Sequence, residues 1–355
     1  MSVVAKVVRT EYWQDFTDYY NRAAILQGIN VSSENGRDTS EPLHVDCSLQ
    51  HHITIYDTIE RKHAGFSNAL QQVWFGSNAP KKWQRDSRFD DHHSIYGLRE
   101  WLWLFLLHRV TGSGASFTFD HGFRNSIVAD VALYCTTVPE MREFTLERMR
   151  AGNPIFTSIG NQIPPFPKPE GDYTRGGERY IGEFMTRLVD DTIWMLAARR
   201  NPWTIADTVD WVCAWHVKNG LKQFKFVLTA WVMDIAEYFP ELVDPYSRVH
   251  YGANAIEALE LLFDNDGFKK KEFLDEAMNT LVSELHSPFE PEDVRRGMGR
   301  AMSLEDVACD YVRYVGNYVP KGYEHLTPDQ VTHSSRMKDI YPKHWTYNKH
   351  IERWN

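Results

Sequence analysis

Residues 111–125 read TGSGASFTFDHGFRN and follow at once on the apolar run WLWLFLLHRV. Gly112 and Gly114 permit backbone conformations with positive φ and bring amide groups close to whatever binds. Ser113 and Ser116 add hydroxyl donors, so the loop can hold an anion. Asp120 and His121 have the chemistry of an acid/base pair, and Arg124, followed by Asn125, can grip a phosphate or carboxylate through two parallel N–H bonds. A second reading stands beside this one: a helix end at which Asp120 caps the next helix's amides and Arg124 is tied to a neighbouring carboxylate.

Two further constellations carry chemistry. In ELVDPYSRVHYGANAIEALELLF (241–263), Asp244-Pro245 reads as a turn leading to a helix start. Tyr246 and Tyr251 offer stacking faces, Arg248 and His250 polar tips, and Gly252 a permissive point before an amphipathic helix. Just upstream, Lys222, Lys225 and Asp234 are charges in a largely apolar segment, and lysines there more often snorkel from a core helix than act in catalysis. Asp244 as a helix cap is likewise the commoner outcome. In SLEDVACDYVRYVGNYVPKG (303–322), Ser303 and Asp306 have the spacing of a capping box. Asp306, Asp310 and Arg313 follow at spacings of four and three and so share a helix face, either as an ion-pair ladder or as a polar stripe facing a pocket.

Several activities are excluded by missing motifs. The chain has no HExxH and no His-x-Glu with paired cysteines, which argues against a zinc protease or zinc deaminase. His92 and His93 are weak metal candidates, and no metal ligand set is assigned. GxxxxGK[ST] and GxGxxG are absent, and GASFT lacks the second glycine of the esterase elbow. A net charge of −9 argues against coating nucleic acid by bulk electrostatics, though not against a local basic groove. The runs KKWQRDSR (81–88), FKKKEF (268–273) and VRRGMGR (294–300) read first as solvated surface. Cys47, Cys135, Cys213 and Cys309 are isolated, as buried thiols in a reducing compartment would be. The apolar run from Leu98 is interrupted by Arg99, Glu100, His108 and Arg109, far short of the ~20 residues that span a bilayer. With no signal-peptide pattern at the N-terminus, an intracellular protein without a membrane partner is expected.

The elements that must position these residues are helices. Apolar residues return at three and four spacings through most of the chain, including YGLREWLWLFLLHRV, NSIVADVALYCTTVPEMREFTLERMR, ERYIGEFMTRLVDDTIWMLAARR and LKQFKFVLTAWVMDIAEYF. HVDCSLQHHITI (44–55) is the one weak strand candidate. Residues 152–178, with five prolines and five glycines, form a long loop. The expected architecture is mainly α: a small N-terminal extension packed on the body (1–79), a single helical catalytic body with long loops (80–322) and a C-terminal tail (323–355).

Taken in order, YGLREWLWLFLLHRVTGSGASF with DHGFRN, then ELVDPYSRVHYGANAIEALELLF, then SLEDVACDYVRY, resemble the bacteriophage thymine-hypermodification proteins. These are the α-glutamyl/putrescinyl thymine pyrophosphorylases, with the amino acid:DNA transferases and a related helical domain of hydroxymethyl-deoxyuridine DNA kinases. The resemblance covers roughly residues 90–320, and TGSGASF with DHGFRN is its most specific part. It implies a helical, DNA-glycosylase-like fold and a transferase that displaces pyrophosphate from 5-(pyrophosphoryloxymethyl)uracil in double-stranded phage DNA. The nucleophile is an amino acid, glycine being one candidate, or a polyamine, and the place of action is the host cytoplasm.

By position, the resemblance gives catalytic roles to Asp120, His121, Arg124 and Asp244. It gives substrate-binding roles to Ser113, Gly114, Ser116, Asn125, Tyr246, Arg248, Asp310 and Arg313. The last two depart from the family's glutamate and lysine, keeping charge but not reach. No cofactor is required, and the carboxylates of Asp120 and Asp310 would allow Mg²⁺ to assist at the pyrophosphate. Two other functions stay open. One is a glycosylase-like enzyme that releases a base using Asp244 with Lys222 or Lys225, against which stands the lack of a glycine-rich hairpin before Asp244. The other is a non-catalytic subunit that binds modified DNA.

Overall fold

The computed structural model describes residues 12–14, 16–17, 19–21, 95–111, 127–152, 155, 165–265, 267–285 and 300–315. The protein is mainly α, as its periodicity requires. The described residues fall into two compact units that part between Asp244 and Pro245: one within Phe66–Asp244, the other within Met1–Gly65 and Pro245–Asn355.

The first unit is built around α1 (Ile95–Thr111). Its residues Trp101–Leu107 are all buried, so the helix is apolar on every side, as a central core helix must be. Polar residues confined to its ends hold it in place. Arg99 forks onto Asp190 at 2.6 and 2.7 Å, and Arg109 forks onto Asp234 at 2.7 and 2.6 Å. Between them Trp231 donates its indole N–H to the Leu102 carbonyl at 2.9 Å, and Trp103 donates to the Thr186 hydroxyl at 3.3 Å.

The expected helix NSIVADVALYCTTVPEMREFTLERMR is broken into α2 (Ile127–Tyr134) and α3 (Val138–Arg150). The break has a local cause: Thr137 and Glu140 form a capping box, with Pro139 in the first turn, and together they start a new helix. The Pro/Gly-rich loop is non-helical at 165–175, and helix resumes at Gly176. From there α4 (Gly176–Arg179), a π-helical turn (Tyr180–Met185) and α5 (Thr186–Ala197) run on continuously. The loop is pinned by Glu178, whose carboxylate accepts from the Thr174 amide and hydroxyl and from Arg150. Next come β1 (Trp203–Thr204), α6 (Ile205–Lys218), α7 (Lys225–Tyr238) and β2 (Val243–Asp244). β1 and β2 pair in parallel, Trp203 with Val243 and Thr204 with Asp244. The strand candidate at 44–55 lies outside the described residues.

The second unit holds α8 (Ala253–Leu262), α9 (Lys270–Glu284) and α10 (Ala301–Val315). Buried Ala255 and Ala258 of α8 and Ala308 of α10 make a small-residue contact that lets these helices approach closely. The helical residues at 12–21 pack on α10 around Tyr311, with Phe16 edge-on to it at 4.9 Å, Tyr19 at 5.6 Å, and a hydrogen bond from its hydroxyl to the Tyr12 carbonyl at 3.2 Å.

Ser303 does not start α10, contrary to the capping-box expectation. The helix begins at Ala301, where the Arg300 carbonyl accepts the amides of Ser303 and Leu304 and buried Ala301 and Met302 extend the apolar face. Arg300 is not solvated surface either: it is 5% exposed, and burial pulls its guanidinium pKa down to about 10. Lys269, Lys270 and Lys271 are exposed as expected, Lys270 pairing with Glu260 at 2.8 Å. Cys135 and Cys213 are buried free thiols and Cys309 is a half-buried one. Among the described residues no helix is long and apolar enough to cross a membrane.

Candidate functional site

The polar residues that the second unit gathers lie on and around the segment from Pro245 to Gly252. Pro245 has no amide to donate, so the β-ladder ends at Asp244. Beyond it the chain alternates: Pro245, Ser247 and Val249 are buried, whereas Arg248 between them is exposed. This two-residue period turns the Arg248 side chain outward.

Arg248 meets the Asp275 carboxylate of α9 at 3.5 Å, and the Tyr251 hydroxyl donates to the same carboxylate at 3.0 Å. Burial, reinforced by the Asp275 charge, holds the Tyr251 phenol well above its ordinary pKa, so it stays a donor. The next residue, Gly252, is the N-cap of α8 and has no side chain to cap with. Glu305 of α10 does the work instead, accepting the Gly252 amide at 2.9 Å. A carboxylate there is favoured by the positive end of the helix dipole. The fit is tight, since a Cβ on Gly252 would meet the Glu305 Oε1 at 3.0 Å.

The second and third sequence constellations are therefore joined, Gly252 of one bonded to Glu305 of the other. Tyr246, half-buried, and Arg248 belong to this site. Asp310 and Arg313 lie further along α10, one and two turns beyond Asp306, with side chains outside the described set. Asp244 is half-buried at the end of β2 in the first unit. It is not the N-cap of α8: the chain passes from β2 through a turn and an extended segment before α8 starts nine residues later, with Gly252 at the cap position. Lys222 and Lys225 are exposed. Ser113, Gly114, Ser116, Asp120, His121, Arg124 and Asn125 lie outside the described residues, as do His92 and His93.

Asp275 and Glu305 were not singled out from sequence. Asp275 sits on α9 behind the lysine run FKKKEF, and Glu305 is next to Asp306, whose helical spacing to Asp310 and Arg313 is the stronger pattern. The remaining signal for Glu305 was the glycine at 252, an N-cap that needs a carboxylate from elsewhere.

In the first unit, the Arg109–Asp234 pair anchors the last turn of α1, two residues before the glycine-serine block begins. Tyr180 and His216 form a second internal polar pair. His216 donates from Nδ1 to the Val212 carbonyl at 2.9 Å, which leaves Nε2 to accept the Tyr180 hydroxyl at 3.0 Å. Burial lowers the imidazole pKa and raises that of the phenol, so both stay neutral and satisfied, a structural arrangement.

Chemically, the second-unit site offers an exposed guanidinium held beside a carboxylate, a phenol and a capped helix start. Such a group can take a phosphate oxygen. Among the described residues no three His, Cys, Asp or Glu side chains come together to hold a metal ion. No protein-family model, no curated protein and no solved structure matches this chain.

Proposed function

We propose that this protein is a DNA base-hypermodifying transferase acting on 5-(pyrophosphoryloxymethyl)uracil in phage DNA. An amino acid or amine nitrogen forms a bond to the exocyclic methylene carbon. The carbon–oxygen bond to pyrophosphate breaks, pyrophosphate leaves with the electron pair, and the nitrogen gives up a proton to a base. Asp120 or His121 is suited to accept that proton, while Arg124, the Ser113–Ser116 loop and Arg248 are suited to the pyrophosphate.

The observation that carries this reading is the Gly252–Glu305 bond, which ties the block bearing Tyr246 and Arg248 to the helix bearing Asp310 and Arg313. Three ordered sequence blocks that serve one reaction must meet in space, and two of them do. The helical class is also what the thymine-hypermodification resemblance asks for.

The test is to incubate the protein with DNA containing 5-(pyrophosphoryloxymethyl)uracil and a mixture of amino acids and putrescine, digest to nucleosides, and weigh them. The expected product is a nucleoside with the mass of hydroxymethyl-deoxyuridine plus one nucleophile less water, with pyrophosphate released. Abasic sites would replace this reading with base release, and bound but unchanged DNA would replace it with an accessory role.

A further inference from the structure

The turn from α6 to α7, residues 217–226, reads VKNGLKQFKF. Its apolar residues anchor it. Leu221 and Phe224 are buried, the Leu221 amide donates to the His216 carbonyl at 2.9 Å, and the Phe224 ring lies 5.2 Å from the His216 ring. The last turn of α6 and the first of α7 are thereby held side by side, and Lys218, Lys222 and Lys225 are all exposed on this short connection. Among the described residues none of the three lysines meets a carboxylate. Residues 211–233 contain no aspartate or glutamate at all. Gly220, at φ 72°, has nothing within 4 Å of where a Cβ would stand, so the turn is open there.

A fourth cation joins them from α5. Arg187 donates through Nη2 to the side-chain oxygen of Asn219, in this turn, at 2.9 Å. Its guanidinium carbon lies 6.0 Å from the Phe184 ring centroid and 5.9 Å from that of Trp215. These holders are neutral, so they orient the guanidinium without spending its charge. The carboxylates one turn away on either side are engaged elsewhere, Glu183 with Arg179 at 2.7 Å and Asp191 with the Trp215 indole at 2.6 Å. Arg99 and Arg109, by contrast, each close two nitrogens on an aspartate. The Nε and Nη1 hydrogens of Arg187 have no partner among the described residues.

Cations on an open surface suit a ligand that is itself extended and carries its charges at intervals. A chain of net charge −9 repels a polyanion on average, so it must receive one where cations outnumber carboxylates. We propose that the α6–α7 turn with Arg187 is a DNA-backbone contact surface, on which Lys218, Lys222, Lys225 and Arg187 meet phosphate oxygens of the duplex without regard to sequence. The proposal rests on the reading of this protein as a DNA-modifying enzyme. Exposed Val217 and Phe226 flank the lysines, so an anionic membrane is the competing occupant that the test must separate.

The test titrates the full-length protein with a fluorescein-labelled duplex of unmodified DNA at a series of salt concentrations. Wild type is expected to bind different sequences alike, with log affinity falling linearly with log salt. The triple variant Lys218→Gln, Lys222→Gln, Lys225→Gln should flatten that line by about 3 and bind about 10-fold more weakly per lysine at about 0.1 M salt. Its melting temperature should stay in place because all three side chains are exposed. Arg187→Gln should flatten the line by about 1. Arg200→Gln removes an exposed cation beyond the other end of α5 and should leave the slope unchanged. The proposal is overturned by a wild type that binds no duplex, by equal slopes in wild type and the triple variant, or by equal flattening in Arg200→Gln. Lysine-dependent binding of phosphatidylserine vesicles or of polyglutamate without binding of the duplex would overturn it too. Running the nucleoside-mass assay on the same variants separates the two proposals. Transfer with the same KM for DNA in wild type and the triple variant would sink the contact surface and keep the transferase. Lysine-dependent binding of the duplex without any new nucleoside would keep the contact surface and sink the transferase.

Discussion

Glu100 provides a sharp test of how the first unit is assembled. It lies on α1, is 7% exposed, and accepts a hydrogen bond from the Val138 amide at the start of α3. Burial is the largest influence on it and lifts its carboxyl from 4.5 to about 7, despite the opposing charge of Arg99. A carboxyl whose pKa is raised by folding stays protonated in the native state while the unfolded chain ionises. Stability is therefore greatest below the unfolded pKa and falls as pH rises from 4.5 to about 7. At about 1.36 kcal/mol per pKa step, the loss across that window has a ceiling of about 3 kcal/mol. Glu100→Gln keeps an oxygen for the Val138 amide and removes the ionisation. Urea unfolding of wild type and Glu100→Gln, followed by far-ultraviolet circular dichroism, should show the variant gaining about 2–3 kcal/mol on wild type between about pH 4.5 and pH 8. A difference in stability that is the same at both ends would mean that Glu100 ionises normally in the folded protein, and the account of its burial would be wrong.

Two further outcomes follow from the ion pairs. Asp234→Ala leaves the Arg109 guanidinium, 14% exposed, without the fork that holds it. It should cost about 3–5 kcal/mol in urea unfolding, and Arg109→Met with Asp234→Leu should recover most of that, since an apolar pair needs no charge compensation. Arg248→Ala should leave the melting temperature in place, because the side chain is exposed and its partner Asp275 keeps Tyr251. In DNA binding it should flatten the plot of log affinity against log salt by about 1, the signature of one lost phosphate contact. An unchanged slope would remove Arg248 from the DNA-facing surface.

The fold was legible wherever one signal dominated. WLWLFLLHRV is apolar on every side and forms the buried centre of the first unit, and the helices from Gly176 to Tyr238 keep their three-four periodicity in the structure. Reading failed where local chemistry competed with the pattern. NSIVADVALYCTTVPEMREF looks like one helix because its apolar spacing runs on, yet Thr137 and Glu140 satisfy two amides reciprocally and stop it. The helix α9 was masked by three lysines at its start, although Phe273, Leu274, Ala277, Met278 and Leu281 behind them make a clean buried face. Arg300 looked like part of a basic surface run, whereas tertiary packing beside Tyr20 draws it inside, which no composition window reveals.

The site shows why spacing alone stops short. Sequence separation within one helix sets a shared face, so Asp306, Asp310 and Arg313 could be grouped. It is silent on a contact between Gly252 and Glu305, 53 positions apart. What decides that contact is the small-residue seam of Ala255, Ala258 and Ala308, which brings α8 and α10 close enough for a carboxylate to reach a bare amide. Gly252 has φ −71°, so it is not kept for backbone freedom. Its role is the absence of a side chain: a Cβ would press on the Glu305 oxygen, and the carboxylate would have to withdraw from the helix start it caps. The glycine is thus a packing residue that couples the segment bearing Arg248 to the helix of the third block. A permissive-backbone explanation, which the sequence first suggests, misses that coupling.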